Sequence, residues 1–166
     1  ETEITVVPGA TEGIFCAVMA TIRPGDEVIV FDPVYDSYEP AIELAGGRAV
    51  HLPLTAPDFR IDWQRVRDAV TPRTRMIMIN SPHNPCGSVL SPQDLKTLEE
   101  IASTHDLLVS SDEVYEHLVF DDAQGAEKIT LVNNNDKLKI EIDVAKERVT
   151  HARRVEVEVA VFLLRQ

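Results

Sequence analysis

Through residues 1–121, short apolar runs alternate with stretches whose apolar positions recur at helical spacing. That is the pattern of a three-layer α/β domain, a mostly parallel sheet with helices on both faces. Residues 4–7 read as a short strand running into Pro8-Gly9-Ala10-Thr11-Glu12-Gly13. Ile14, Phe15, Ala17, Val18 and Ile22 then supply the apolar face of a helix that stops near Pro24-Gly25. Residues 27–31 form a second strand, residues 38–44 a helix closed by Gly46-Gly47, and residues 48–54 a third strand. Asp62 is placed to cap a helix carrying Trp63, Val66 and Val70. Residues 76–80 make a fourth, apolar strand of the kind buried on both faces. Ser91-Pro92-Gln93-Asp94 opens a helix with a cap followed by proline, its buried stripe formed by Leu95, Leu98 and Ile101, and residues 107–110 are the fifth strand.

After Asp122 the pattern changes. Residues 128–132 and 138–144 alternate as strands around an Asn133-Asn134-Asn135-Asp136 turn, and residues 155–159 alternate again. The expected organisation is therefore a core of residues 1–121 and a β-rich tail of residues 122–166, with residues 145–153 a helical turn or loop between strands.

Composition narrows the function classes. Hydrophobic residues make up 44% and charged residues 27%, which excludes a disordered or fibrous chain. The formal net charge of -12 opposes binding to nucleic acid or to an anionic membrane, both of which need a basic face. A small anionic ligand is still compatible with it, because local donors can hold one. No run approaches the roughly 20 apolar residues that span a bilayer, and Cys16 and Cys86 read as reduced thiols. The expectation from these features is a cytoplasmic protein.

The polar residues that carry chemistry cluster where the expected strands end. Pro8-Gly9-Ala10-Thr11 lies between strand and helix, where free backbone amides suit a phosphate or merely start the helix. Asn80-Ser81-Pro82-His83-Asn84-Pro85-Cys86-Gly87 follows the fourth strand; its prolines restrict the loop and admit a cis peptide, so Asn84 is either an aimed amide or part of an Asn-Pro turn. Ser111-Asp112-Glu113-Val114-Tyr115 follows the fifth. Asp112 there is either a helix cap or a buried carboxylate that needs a partner such as a protonated ring nitrogen, with the Tyr115 phenol close behind it.

Together these segments resemble the class I/II, fold-type-I aminotransferases, most of all the methionine and kynurenine aminotransferase branch, over residues 2–121. The resemblance rests on four motifs in order: Thr5-Val6-Val7-Pro8-Gly9-Ala10-Thr11-Glu12-Gly13, the stretch from Gly25 to Tyr38, Pro82-His83-Asn84-Pro85-Cys86-Gly87, and Ser111-Asp112-Glu113-Val114-Tyr115-Glu116-His117. It implies pyridoxal phosphate as cofactor, amino acid and 2-oxo acid substrates, and a homodimer. It also implies that Gly9, Ala10 and Thr11 hold the cofactor phosphate and that Tyr35 stacks on the pyridine ring. Asn84 and Tyr115 would bond the ring's 3-oxygen, and Asp112 would pair with its nitrogen.

The likeness stops before the family's Ser-x-x-Lys and Gly-Trp-Arg segments. Family spacing from Asp112 puts the lysine that attaches the cofactor at Lys146 and a phosphate-binding basic residue at Arg154, in surroundings that keep none of the family's serine, glycine or tryptophan. The resemblance thus implies a partial aminotransferase, inactive as this chain alone. The alternatives are a non-catalytic domain or chimera with an aminotransferase-derived core, and another enzyme of the same cofactor such as a C–S lyase.

Overall fold

The computed structural model describes residues 5–115, together with the backbone of residues 130–132 and 139–141. In chain order it comprises α1 (Ala10–Thr21), β1 (Glu27–Asp32), α2 (Tyr38–Leu44), β2 (Arg48–Pro53), α3 (Trp63–Ala69), β3 (Thr74–Asn80), α4 (Pro92–His105), β4 (Leu108–Asp112), β5 (Thr130–Val132) and β6 (Lys139–Glu141). The first four strands form one parallel sheet in the order β2-β1-β3-β4. The last two pair antiparallel, with Thr130 opposite Glu141. The expected turn at Asn133 to Asp136 and the alternation at 155–159 lie outside the described residues.

Strand periodicity sorts the core into two layers. Val28 and Val30 of β1 and Met76 and Met78 of β3 face Ile14, Val18 and Ile22 of α1 and Tyr38, Ala41 and Ile42 of α2. The intervening residues Ile29, Phe31, Ile77 and Ile79 face Val66 of α3 and Leu98 and Ile101 of α4. Apolar residues on both strand faces are thus what makes β1 and β3 the central strands. Handedness follows from the strand order: α2 covers the step from β1 to β2, while α3 and α4 cover steps in the opposite direction. Right-handed crossovers then put them on the opposite face.

Local signals set the helix ends. Asp62 Oδ1 accepts hydrogen bonds from the Gln64 and Arg65 amides at 3.0 and 3.2 Å. Ser91 and Asp94 form a reciprocal capping box, and Asp94 also accepts from the Trp63 indole at 2.8 Å, tying α4 to α3. Ser91→Ala removes the cap's hydroxyl and is expected to lower stability by about 1 kcal/mol, read as a drop in thermal midpoint. Gly46, at φ +82, ends α2 in the left-handed region. Gly47 beside it leaves no room for a side chain, since a Cβ there would lie 2.7 Å from Ile22 Cγ2.

Two expectations fail. Residues 5–7 are not a strand, and Val6 is 84% exposed. An isolated extended segment gains no ladder hydrogen bonds, and among the described residues none is paired with it. Phe15 was expected on the buried face of α1 but is exposed, as is Met19 one turn on. Ile14, Ala17, Val18 and Ile22 already fill the inward arc, and Phe15 is rotated about 100° from Ile14.

Candidate active site

The parity that sorts the core also sorts the strand ends. Asp32, Asn80 and Asp112 are the last residues of β1, β3 and β4, and Asn80 is directly in register with Asp112. Each lies an even number of residues beyond a strand position facing α1 and α2, so all three fall on that face of the sheet. Because the connection leaving β1, through α2, and the one leaving β3, through α4, lie on opposite faces of the sheet, the crevice beyond β1 and β3 is a topological switch point, where open α/β sheets bind ligands.

The N-terminus of α1 reaches the same end. A short turn joins the C-terminus of α1 to the start of β1, so the helix runs back along the sheet. Its 12 residues span roughly 18 Å and the 6 of β1 about 20 Å, which brings Gly9, Ala10 and Thr11 level with the strand ends. Among the described residues no side chain caps this helix, and none lies within 4 Å of a Cβ placed on Gly9. Uncapped amides beside a glycine with room around it suit a phosphate.

Hydrogen bonds join the remaining residues. The Asn80 amide donates to the Asp112 carbonyl at 2.9 Å, and its oxygen accepts from the Asn84 backbone N–H at 2.6 Å. Asn80 thus clamps the loop carrying Asn84 against the end of β4. Within that loop Gly87, at φ +71, donates its N–H to the His83 carbonyl at 2.7 Å, and the bonds before Pro82 and Pro85 are both cis. Asp112 Oδ2 accepts from the Tyr38 hydroxyl, and Oδ1 accepts from the Val114 N–H at 3.2 Å. Tyr35 packs edge-on against Tyr38, with ring centroids 5.6 Å apart, and Tyr115 lies within electrostatic range of the Tyr38 phenol. Nearby, His51 bonds Asp32 at 2.9 Å and Glu39 at 3.2 Å, and these carboxylates, Asp32 first, raise its pKa.

Asp112 is the residue whose surroundings ask for a ligand. It is 7% exposed, yet no lysine, arginine or histidine pairs with it among the described residues. A buried carboxylate without a countercharge fits a protonated ring nitrogen. Its capping alternative survives only as the local bond to Val114, since residues 114–115 form a turn and none of residues 113–115 is helical. Tyr35, 37% exposed, leaves part of its ring free beside the crevice. Lys146 and Arg154 lie outside the described residues.

One residue at the site was not singled out by sequence reasoning. Tyr38 reads from sequence as the first residue of an amphipathic helix, and Asn80 was visible only as a polar strand end. Their partners are 74 and 32 residues away, and nothing local identifies those partners. A cavity of about 240 Å³ lies on the other face of the sheet, lined by Phe31, Leu54, Phe59, Ile79, His83 and Leu90 among others. None of Tyr35, Asn84, Asp112 or Tyr115 lines it, and Asn80 is the residue it shares with the strand-end site. Among the described residues no helix is long and apolar enough to cross a membrane, and no group of three or more His, Cys, Asp or Glu residues could hold a metal ion.

Comparison with known proteins identifies the family and the fold. Residues 1–151 match the family described as aminotransferase class I and II. A probable N-succinyldiaminopimelate aminotransferase of Mycobacterium tuberculosis is 52% identical over 127 residues, covering 75% of this chain and 32% of the relative. Methionine aminotransferase of Escherichia coli is 47% identical over 120 residues, covering 72% and 31%. The chain therefore spans about a third of the length of these curated relatives. Among solved structures, Escherichia coli YbdL, described as having a methionine aminotransferase function, superposes with a TM-score of 0.73 at 46% identity, covering 75% of this chain and 33% of that one. The Mycobacterium tuberculosis N-succinyldiaminopimelate aminotransferase gives 0.73 at 48%, covering 78% and 34%.

Proposed function

The chain belongs to the class I and II aminotransferase family, and on that premise we propose that it binds pyridoxal phosphate and serves the transfer of an amino group between an amino acid and a 2-oxo acid. The observation that carries this reading is Asp112, a buried carboxylate without a cationic partner among the described residues, on the same sheet face as the uncapped N-terminus of α1. One end offers a place for a positive ring nitrogen and the other a place for a phosphate.

In this reading Gly9, Ala10 and Thr11 take the phosphate on their backbone amides, and Arg154 adds a basic contact to it. Tyr35 lies against a face of the pyridine ring, where an aromatic side chain contributes stacking. Asn84 and Tyr115 hydrogen-bond the ring's 3-oxygen, and Asn80 fixes the loop from which Asn84 projects. Asp112 holds the proton on the ring nitrogen. Lys146 is the point of covalent attachment. When bound, the cofactor supplies an electron sink for the pair left on the substrate's α-carbon, the chemistry that side chains lack. Residues 1–121 form the cofactor-binding unit and residues 122–166 a separate β-rich segment; two copies of the protein pair as a dimer.

Calorimetric titration of the purified chain with pyridoxal phosphate tests the binding. Saturable heat and a rise in thermal midpoint with cofactor concentration are expected. Borohydride reduction at stoichiometric cofactor, followed by peptide mapping, tests the attachment point. Label should concentrate on Lys146, with Lys96, Lys128, Lys137 and Lys139 as controls for nonspecific reaction. Absence of heat and of any thermal shift would remove the cofactor from this reading, whereas label spread evenly over the lysines would remove Lys146 alone.

A further inference from the structure

Asp112 is held from two sides. Its Oδ2 accepts from the phenol of Tyr38, at the start of α2, and its Oδ1 from the Val114 amide in the turn after β4. Rotation of the carboxylate about its Cβ–Cγ bond would break both. Tyr38 is itself immobile: it is 3% exposed, its ring is part of the core beside Ala41 and Ile42, Tyr35 packs edge-on against it, and its N–H donates to the Tyr35 carbonyl at 3.1 Å. Nothing in the apolar packing of α2 requires a hydroxyl at this position, since phenylalanine would fill the same volume. The hydroxyl's partner is the one buried acid at the candidate site.

We propose that Tyr38 is a positioning residue whose phenol holds the Asp112 carboxylate in the orientation that meets the ring nitrogen of pyridoxal phosphate. The inference rests on the reading of Asp112 given above and adds a residue that acts through it. Burial first, and then the charge of Asp112, raise the pKa of the phenol, so Tyr38 stays protonated and remains a donor. Preorganisation of this kind removes the ordering that an untethered carboxylate would undergo when the ring arrives.

The test compares two probes: pyridoxal phosphate and its 1-deaza analogue, in which carbon replaces the ring nitrogen. They share the phosphate, the ring face and the 3-oxygen, so their affinity ratio isolates the contact with Asp112. The wild-type chain should favour pyridoxal phosphate, and Asp112→Asn should bring the ratio close to one. Tyr38→Phe should lower the ratio by about tenfold, the size of one charge-assisted hydrogen bond, with the deaza analogue bound almost as before. Substituting 4-aminophenylalanine at position 38 keeps the shape with a weaker N–H donor and should fall between the two. It is also the variant to read if Tyr38→Phe does not fold. A purely structural Tyr38 would weaken both probes alike, and that result, or an unchanged ratio, overturns the proposal. If Asp112→Asn also leaves the ratio unchanged, or the wild-type chain binds neither probe, the reading of Asp112 fails and the role of Tyr38 with it. If Asp112→Asn collapses the ratio and Tyr38→Phe does not, only the role of Tyr38 fails.

Discussion

Pyridoxal phosphate is expected to bind the Asp112→Ala variant about a hundredfold more weakly than the parent chain. Removing one member of a buried charge pair costs the bound state the attraction and also leaves the other charge unpaired. Here the group left unpaired would be the protonated ring nitrogen. Without cofactor the sign should reverse. Asp112 is buried with hydrogen bonds from Tyr38 and Val114 but with no countercharge among the described residues, so the free fold carries part of its desolvation cost. Asp112→Asn, which keeps the shape and removes the charge, should therefore melt at or above the parent temperature while losing affinity. Residues kept for binding at the expense of the free fold behave in this way. Calorimetry and thermal melts on the same preparations read both quantities. An unchanged affinity with a lower melting temperature would make Asp112 a structural residue.

The largest expected effect on stability lies at the opposite end of the sheet. Glu27, at the start of β1, is 1% exposed and receives four hydrogen-bonding groups. The Thr71 hydroxyl donates to Oε2 at 2.7 Å, Arg48 Nη2 to Oε1 at 2.7 Å, and Arg73 to Oε1 through Nε at 2.9 Å and Nη2 at 2.6 Å. The Thr71 hydrogen bond, then that of Arg48, and the hydrogen bonds and charge of Arg73 hold the carboxyl at about 2 against the opposing effect of burial. The folded value lies below the ordinary 4.5, so the associated stability is fully present above pH 4.5 and is lost as pH falls toward 2. The full shift corresponds to roughly 3 kcal/mol, and because both guanidinium groups are mostly exposed and screened, about 2 kcal/mol is expected.

Replacing Arg48 and Arg73 together by alanine leaves the buried carboxylate with Thr71 and should cost about 3 to 5 kcal/mol at neutral pH. The Thr71 hydrogen bond outweighs burial and still favours the carboxylate, so the loss of stability between pH 4.5 and 2 should shrink without reversing. Urea unfolding of parent and double variant at pH 7 and pH 3 gives the four numbers needed. Taking the difference cancels the acid response of the rest of this strongly acidic chain. A double variant as stable as the parent at pH 7 would mean that water already satisfies Glu27.

Much of the fold was legible residue by residue. The apolar runs in β1 and β3, the caps at Asp62 and Ser91 and the glycine stop at Gly46 depend on a few neighbouring residues, and each stands where the pattern placed it. The polar strand ends Asn80 and Asp112 were also visible, because a polar residue closing an apolar run is a local signal. Local pattern misled at residues 5–7 and at Phe15. A strand needs a pairing partner that no local window contains, and a helix buries only the arc that its neighbours cover. The strand order β2-β1-β3-β4, and with it the face on which the acids meet α1 and α2, is likewise a property of the assembled sheet. So is the bond between Tyr38 and Asp112, which spans 74 residues of chain. Side-chain type and element ends are written locally, so the residues able to carry the chemistry can be read along the chain. Which of them meet is a matter of assembly, because register and crossover handedness bring distant residues within hydrogen-bonding reach.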